Sequence, residues 1–465
     1  MSDPMPDVLV LIPGICGSKL RKDGKELWAL SGHAALHLLL TRGQVLNDLI
    51  LKADPPDVDD LGDGVVADGL LQDVHLIPYL WKIDGYTKIS QVIKQNFKIE
   101  PGRNYFEFAY DWRRNNSVAA RRLARESHRW LADWQASSGN REAKLILIAH
   151  SMGGLVSRHF LELLEGWRQT RALITFGTPY RGSLNALDAL ANGVRKGPAG
   201  MIDLSAMVRS LTSVYQLLPI YECYDPGDGS LVRVGETTGI PNVDATKAAS
   251  ALAFHRKIGQ AVSDHEKLDE YRQNGYRIAP IVGTQQPTLQ SARRLGAGVE
   301  LIPTYRGKDE KGDGTVPRVS ATPIERSGEG GEMFAATRHA SLQNADAVLA
   351  HLHGVITDLY LDLGARRARP EPGAALGLDL EDLYWDDEPV TIRVRAEGQT
   401  GTARAAITQL ETNTQVSRAA LRVVEGEWQT AELPRLAPGT YRLTVRGEGD
   451  VDPVADVFTV FERTS

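Results

Sequence analysis

Residues 144–155 read KLILIAHSMGGL, and the reading of this stretch decides the fold. An apolar run rich in Ile and Leu stops at a small residue, Ala149. Ser151 follows two positions later, Gly153 two positions after that, and an apolar pattern at helical spacing then begins. Strand, sharp turn and helix in this order make a nucleophile elbow, with the serine exposed in a strained conformation at the sheet's C-terminal edge. Strand and helix approach closely only where the residues two before and two after the serine are nearly side-chain free. Gly153 meets that demand, and Ala149 departs from the usual glycine by one methyl. The plain alternative is a serine in an ordinary strand-to-helix turn.

The flanking sequence supplies the rest of a sheet. Val8–Ile12 is a buried-strand pattern stopped by Pro13-Gly14, and residues 105–110 read as another strand. Residues 117–136 alternate apolar and Arg positions at helical spacing, and residues 171–176 form a short apolar strand ending at Gly177-Thr178-Pro179. Strands alternating with helices predict a mostly parallel, doubly wound α/β sheet. The rhythm breaks between about 184 and 272, where helical patterns at 205–218 and 245–262 are joined by Gly/Pro/Asp turns, as in an insertion. Residues 18–84 read as a lid-like segment, with apolar patches at 35–40 and 75–81 and no dominant period. Residues 276–283 resume the strand pattern, and Leu342, Ala345, Val348, Leu349 and Leu352 mark a long terminal helix.

These elements fill residues 1–365. The charge- and proline-rich run RRARPEP at 366–372 opens a linker extending to 387. Residues 388–465 change texture: 390–395 and 441–446 alternate apolar and polar with period two, and short turns such as Ala437-Pro438-Gly439 separate such runs. Roughly six strands in a stretch of this length suit a small immunoglobulin-like β-sandwich.

Bulk properties agree. A chain of 465 residues exceeds the roughly 250–300 at which one core stops growing. With 42% apolar and 24% charged residues and a formal net charge of −6, nucleic acid is not an expected partner. Two cysteines, Cys16 and Cys223, are the usage expected in a reducing compartment. The start, MSDPMPDVLVLIPG, has no basic region and too short an apolar run for a leader. The expectation is a cytoplasmic protein whose membrane contact is peripheral.

A serine is a weak nucleophile at neutral pH and needs a base, an orienting carboxylate and amide donors for the oxyanion. On a doubly wound sheet the acid and then the histidine follow the elbow. Downstream histidines are His255, His265, His339, His351 and His353. The first two fall in the insertion and the last two in the terminal helix. His339 precedes that helix, after the glycine-rich stretch 328–331, where a loop can present an imidazole. The acid candidate is Asp313 in the Gly312-Asp313-Gly314-Thr315-Val316-Pro317 turn, while its competitors Asp309 and Glu310 belong to a charged surface run. Oxyanion donors are expected from Met152 and from the turn Pro13–Ser18, at Ile15 or Cys16. Cys16 has no recognisable base of its own. His150 reads as a packing residue, because neighbours on an elbow point apart.

The motifs LIPGICGSKL (11–20), GYTKI (85–89), AYDWR (109–113), AHSMGGL (149–155), ITFGTPYRGS (174–183) and GDGTVP (312–317), with Trp28 and the histidine of RHASL, resemble the lecithin:cholesterol acyltransferase branch of the α/β-hydrolases. This resemblance spans about residues 8–360. It implies catalytic roles for Ser151, Asp313 and His339, an oxyanion role for Ile15, and a cap formed by the insertion. It further implies a serine-dependent lipid acyl hydrolase or O-acyltransferase, phospholipase A-like, acting on a lipid or other acyl ester without a metal or organic cofactor. The disulfide-bearing lid of secreted relatives has no cysteines here. Substrate contacts are expected from Cys16, Trp28, Trp81, Tyr110, Leu217 and Leu218, while Asp111 and Arg113 are expected to pair around a packed Trp112. Rival readings are a soluble short-chain carboxylesterase, and a non-catalytic effector on a hydrolase scaffold. The sandwich is expected to bind a protein partner or a surface.

Overall fold

The computed structural model describes residues 2–28, 47–72, 75–77, 81–196, 202–326, 332–360, 375–397, 402–425, 428–448, 451 and 453–462. Expectations for the apolar patch at 35–40, the glycine-rich stretch at 328–331 and the RRARPEP run at 366–372 lie outside the described residues.

Six strands form the central sheet: β1 (Val8–Ile12), β2 (Tyr105–Glu107), β3 (Leu145–His150), β4 (Thr170–Phe176), β5 (Arg277–Gly283) and β6 (Met333–Ala335). Their order is β6-β5-β4-β3-β1-β2, and every neighbouring pair is parallel. All residues of β1 and β3 are buried, so their unbroken apolar runs reflect cover on both faces. On the sheet lie α1 (Asn116–Ser138), against β1, and α2 (Gly153–Leu163), against β3 and β4; α3 (Leu184–Ala191), α4 (Ala245–His265), which packs on α2, and α5 (Asp346–Asp358) follow. α1 begins where the Asn115 side chain accepts the Ser117 amide and ends at Gly139 with φ 74°. This is the parallel, doubly wound α/β sheet expected from the sequence, with the sharp turn after β3 near its middle. No helix of the described residues is long and apolar enough to cross a membrane.

Several expected elements are shorter or more broken than their patterns. β2 stops at Glu107 because the Tyr110 amide leaves the ladder and donates to Ser18 Oγ at 3.0 Å. The 205–218 pattern splits into Ser205–Ser210 and Thr212–Tyr215 at an extended Leu211. The insertion also carries strand: Tyr224–Asp225 pairs with Ser291–Leu295, itself in a hairpin with Gly298–Ile302. The lid-like segment contains an antiparallel sheet of Ser18–Lys22, Lys25–Trp28 and Val65–Leu70. An extended Ala345 separates α5 from the short 3-10 helix His339–Asn344.

Among the described residues, the C-terminal sandwich has nine strands in two sheets. One sheet is Ala375–Asp379, Val390–Glu397, Trp428–Leu433 and Arg422–Glu425; the other is Leu383–Trp385, Val454–Phe461, Gly439–Arg446, Arg404–Gln409 and Thr414–Ala420. Residues 375–387 therefore hold two strands, where the sequence suggested linker. Leu376 and Leu378 enter the sandwich core, but with only Gly377 between them and Ala375 and Asp379 on either side the run is too short to show a strand period.

Candidate active site

Ser151 leaves β3 in the left-handed region at φ 51°, a conformation costing about 1–2 kcal/mol for a residue with a Cβ. Its surroundings over-determine it. The Ser151 amide donates to Phe176 O at 2.9 Å, and its carbonyl accepts from Gly154 N at 3.0 Å and Thr178 Oγ1 at 2.9 Å. A Cβ on Gly153 would lie 2.5 Å from Pro13 O, and one on Gly154 would lie 2.1 Å from Thr178 Oγ1. Both glycines are thus demanded by close approach. Ala149 is fully buried in register with Ile12 and Thr175, and its methyl is accommodated there.

Ser151, Asp313 and His339 come together. The Ser151 hydroxyl lies 2.9 Å from His339 Nε2, and His339 Nδ1–H donates to Asp313 Oδ2 at 2.7 Å. Asp313 Oδ1 accepts from Thr315 N at 2.9 Å and Val316 N at 2.7 Å, which fixes the carboxylate plane. The His339 amide donates to Asp313 O at 2.9 Å, so acid and base loops are also joined through the backbone. Glycines make room here too: a Cβ on Gly177 would lie 2.8 Å from Asp313 Oδ2, and one on Gly283 2.3 Å from Asp313 Cβ. The competing acids are engaged elsewhere, Asp309 with Gln290 Nε2 at 2.6 Å and Glu310 with Lys308 at 2.8 Å. So are the competing histidines: His255 contacts Gln216 O, His265 contacts Glu162 and Glu165, and His353 contacts Asp3. His351 lies in α5.

The turn after β1 abuts the serine, since a Cβ on Gly14 would lie 2.8 Å from Ser151 Cβ. Met152 is the N-cap of α2, where an amide has no intrahelical acceptor, and Ile15 in the turn after β1 is the second expected donor. Three of the residues expected to contact substrate, Cys16, Trp28 and Tyr110, are buried at this turn. Cys16 is buried at φ 60°, and burial pushes its thiol well above the ordinary range, away from nucleophilic use. Trp28 Nε1 donates to Cys16 O at 3.0 Å, and the Tyr110 hydroxyl donates to Pro13 O at 2.9 Å, so both buried aromatics brace the turn from behind. Leu217 and Leu218 are buried against the Gly182-Ser183 turn, where Ser183 N donates to Leu217 O at 2.8 Å. The Trp81 side chain lies outside what the structure describes. Arg113 pairs with Asp111 at 2.7 Å while Trp112 packs edge-on against Trp28, as expected.

A further chain of hydrogen bonds lies behind the site. Gly14 N–H donates to Tyr86 Oη at 2.8 Å, the Tyr86 hydroxyl donates to His150 Nδ1 at 2.9 Å, and His150 Nε2–H donates to His339 O at 3.2 Å. Burial, and then the neighbouring His339, push His150 down to about 3, so it stays neutral with its proton on Nε2. Sequence reasoning assigned His150 to packing and gave Tyr86 no role. The one signal present was GYTKI itself, an aromatic motif without local purpose.

The Lecithin:cholesterol acyltransferase family model matches residues 44–248, which include the serine and stop before the acid and base. Over that stretch the resemblance read from the motifs is borne out. The uncharacterized protein YJR098C of Saccharomyces cerevisiae is 27% identical over 173 residues, 37% of this chain. The chain spans 23% of that relative's length. Among solved structures, the propeptide form of the Bacillus licheniformis lipase BlEst2 aligns with 99% of this chain and 94% of its own, at 12% identity and a TM-score of 0.33. CopC from Methylosinus trichosporium OB3b aligns with 19% of this chain and 89% of its own, at 20% identity and a TM-score of 0.15.

Proposed function

We propose that this chain, similar to the lecithin:cholesterol acyltransferase family over residues 44–248, is a serine-dependent acyl hydrolase or O-acyltransferase acting on lipid esters. The observation that carries the reading is the continuous hydrogen-bond path Ser151–His339–Asp313 ending on a left-handed serine. Ser151 Oγ attacks the ester carbonyl while its proton passes to His339 Nε2. Asp313 holds the imidazole by Nδ1–H and stabilises the imidazolium that forms. The oxyanion is taken by the amides of Met152 and Ile15, and collapse expels the alcohol, which receives the proton from His339. Water or an acceptor alcohol then attacks the acyl-enzyme with the same base, regenerating Ser151.

The family resemblance supports a lipid acyl donor, and the apolar residues around 204–218 of the insertion are consistent with it. The test is covalent labelling by a fluorophosphonate probe together with turnover of p-nitrophenyl esters. The unmodified chain should label, and Ser151→Ala should neither label nor turn over, with a loss of order 10⁴-fold or more. Esterase activity intact in Ser151→Ala would overturn the assignment. A preference for butyrate with no response to phospholipid vesicles would replace the lipid donor by a short-chain ester.

A further inference from the structure

The loops that carry Asp313 and His339 run directly beneath the C-terminal sandwich. Gln286, 1% exposed, faces both ways. Its backbone amide donates to Gly312 O at 2.9 Å, and it forms a parallel bridge to Asp313. Its side-chain amide donates to Leu376 O at 3.0 Å and accepts from Leu378 N at 3.0 Å, completing the free edge of the Ala375–Asp379 strand. Gly377 permits this approach, since a Cβ there would lie 2.6 Å from Gln285 O. Leu376 and Leu378 are themselves fully buried in the sandwich core, so the strand that Gln286 grips is held firmly.

Arg338 makes the second connection, one peptide away from the base. Its guanidinium extends past Gly314 of the acid turn, a Cβ on which would lie 3.6 Å from Nε. Nε then pairs with Asp456 Oδ2 at 2.9 Å, and Nη1 donates to Leu378 O. Asp456 lies on Val454–Phe461 of the opposite sandwich sheet and its side chain is fully buried. With its carboxylate fully buried and its guanidinium partly so, this pair fixes geometry more than it adds stability, because desolvation offsets much of the attraction. The Arg338–His339 peptide is planar and rigid. The position of Arg338 therefore passes to the His339 amide, which is bonded to Asp313 O, and to the imidazole beyond it.

We propose that Gln286 and Arg338 are positioning residues through which the sandwich holds Asp313 and His339 in register, so that turnover depends on the docked sandwich. The inference rests on the serine-hydrolase reading above. The alternative is that these contacts merely attach one domain to another.

The experiment uses the full chain and the variants Arg338→Ala, Arg338→Lys, Gln286→Ala and Asp456→Asn. kcat and KM for a p-nitrophenyl ester are measured per fluorophosphonate-titrated serine, with thermal melts alongside. Misplacement of a catalytic group by about 1 Å costs on the order of 100-fold. Arg338→Ala and Asp456→Asn should lower kcat about 10- to 100-fold with KM within about twofold, and Arg338→Lys should recover most of the loss. The double variant Arg338→Ala/Asp456→Asn should be no slower than Arg338→Ala alone. Variants that melt earlier yet keep kcat per active serine within about twofold would overturn the proposal, as would equal losses for Arg338→Lys and Arg338→Ala. If Arg338→Ala fails to fold, Gln286→Ala and Asp456→Asn decide by the same criteria. No labelling of the unmodified chain is a different failure: it removes the hydrolase reading and this inference with it.

Discussion

Replacing Tyr86 by Phe probes the bond chain behind the site with almost no change in volume. The ring is 1% exposed and stays in place, so the effect is confined to one hydroxyl. That hydroxyl accepts the Gly14 amide and donates to His150 Nδ1. Its removal leaves two buried polar atoms without these partners, at about 1–3 kcal/mol each. Local shifts recover part of this, and a destabilisation of about 2–4 kcal/mol follows. The consequence for catalysis comes through Gly14, whose backbone touches Ser151 and carries the Ile15 amide next in sequence. Deleting an oxyanion donor outright costs about 10²–10³ in kcat, so loosening the turn should cost about 10- to 100-fold, with KM little altered. Urea denaturation and p-nitrophenyl ester kinetics on the same preparation measure both effects. A stability change under about 0.5 kcal/mol together with an unchanged kcat would refute the reasoning.

Two further outcomes test the elbow and the neutral histidine. Gly154→Ala places a methyl 2.1 Å from Thr178 Oγ1, which itself bonds Ser151 O, so it should destabilise by about 1–3 kcal/mol and lower ester turnover. A melt and a rate equal to the parent's would show that the elbow is slack. His150 titrates near 3 in the fold against 6.5 when free, so between these values the unfolded chain holds the extra proton. Its contribution to stability is therefore complete above about pH 6.5 and falls as the pH drops, by up to about 1.4 kcal/mol per pH unit. Urea midpoints between pH 7 and 4.5 should fall more steeply for the parent than for His150→Gln, and parallel curves would count against a buried neutral imidazole.

Ser151 and Asp313 were legible in sequence because each sits on a local device that its backbone position demands. A left-handed serine requires small neighbours, and Ala149 and Gly153 provide them within five residues. A carboxylate held in a tight turn requires Gly312 and Gly314 on either side of Asp313. The supporting residues lack such devices. Tyr86 and His150 are 64 positions apart, and nothing near either announces the other. The His150 ring lies 5.1 Å from the His339 ring. Its Nε2 meets the His339 backbone, which arrives from 189 positions further along. Trp28 and Tyr110 were expected at the substrate for a related reason. Aromatic residues in motifs near a lipase-like site suggest substrate, whereas their polar atoms end on Cys16 O and Pro13 O.

The sandwich boundary shows the same limit in its strictest form. Residues 375–379 read ALGLD, too short and too plain to register as a strand. What they contribute to the interface is main chain: the carbonyls of Leu376 and Leu378 and the Leu378 amide. Side-chain pattern predicts which face a strand buries, but says nothing of which carbonyl another loop will seize. The one side-chain trace is negative, the missing Cβ of Gly377 beside Gln285 O. On the hydrolase side the matching residues are Gln286 and Arg338, polar residues that would ordinarily read as loop surface. Their burial in the fold is what separates them from solvated polar residues. A buried amide bonded to backbone, and a partly buried guanidinium bonded to a fully buried carboxylate across a domain boundary, leave little room to relax if either domain shifts. The register of Asp313 and His339 is in this way tied to the sandwich by contacts that are invisible to motif and periodicity alike.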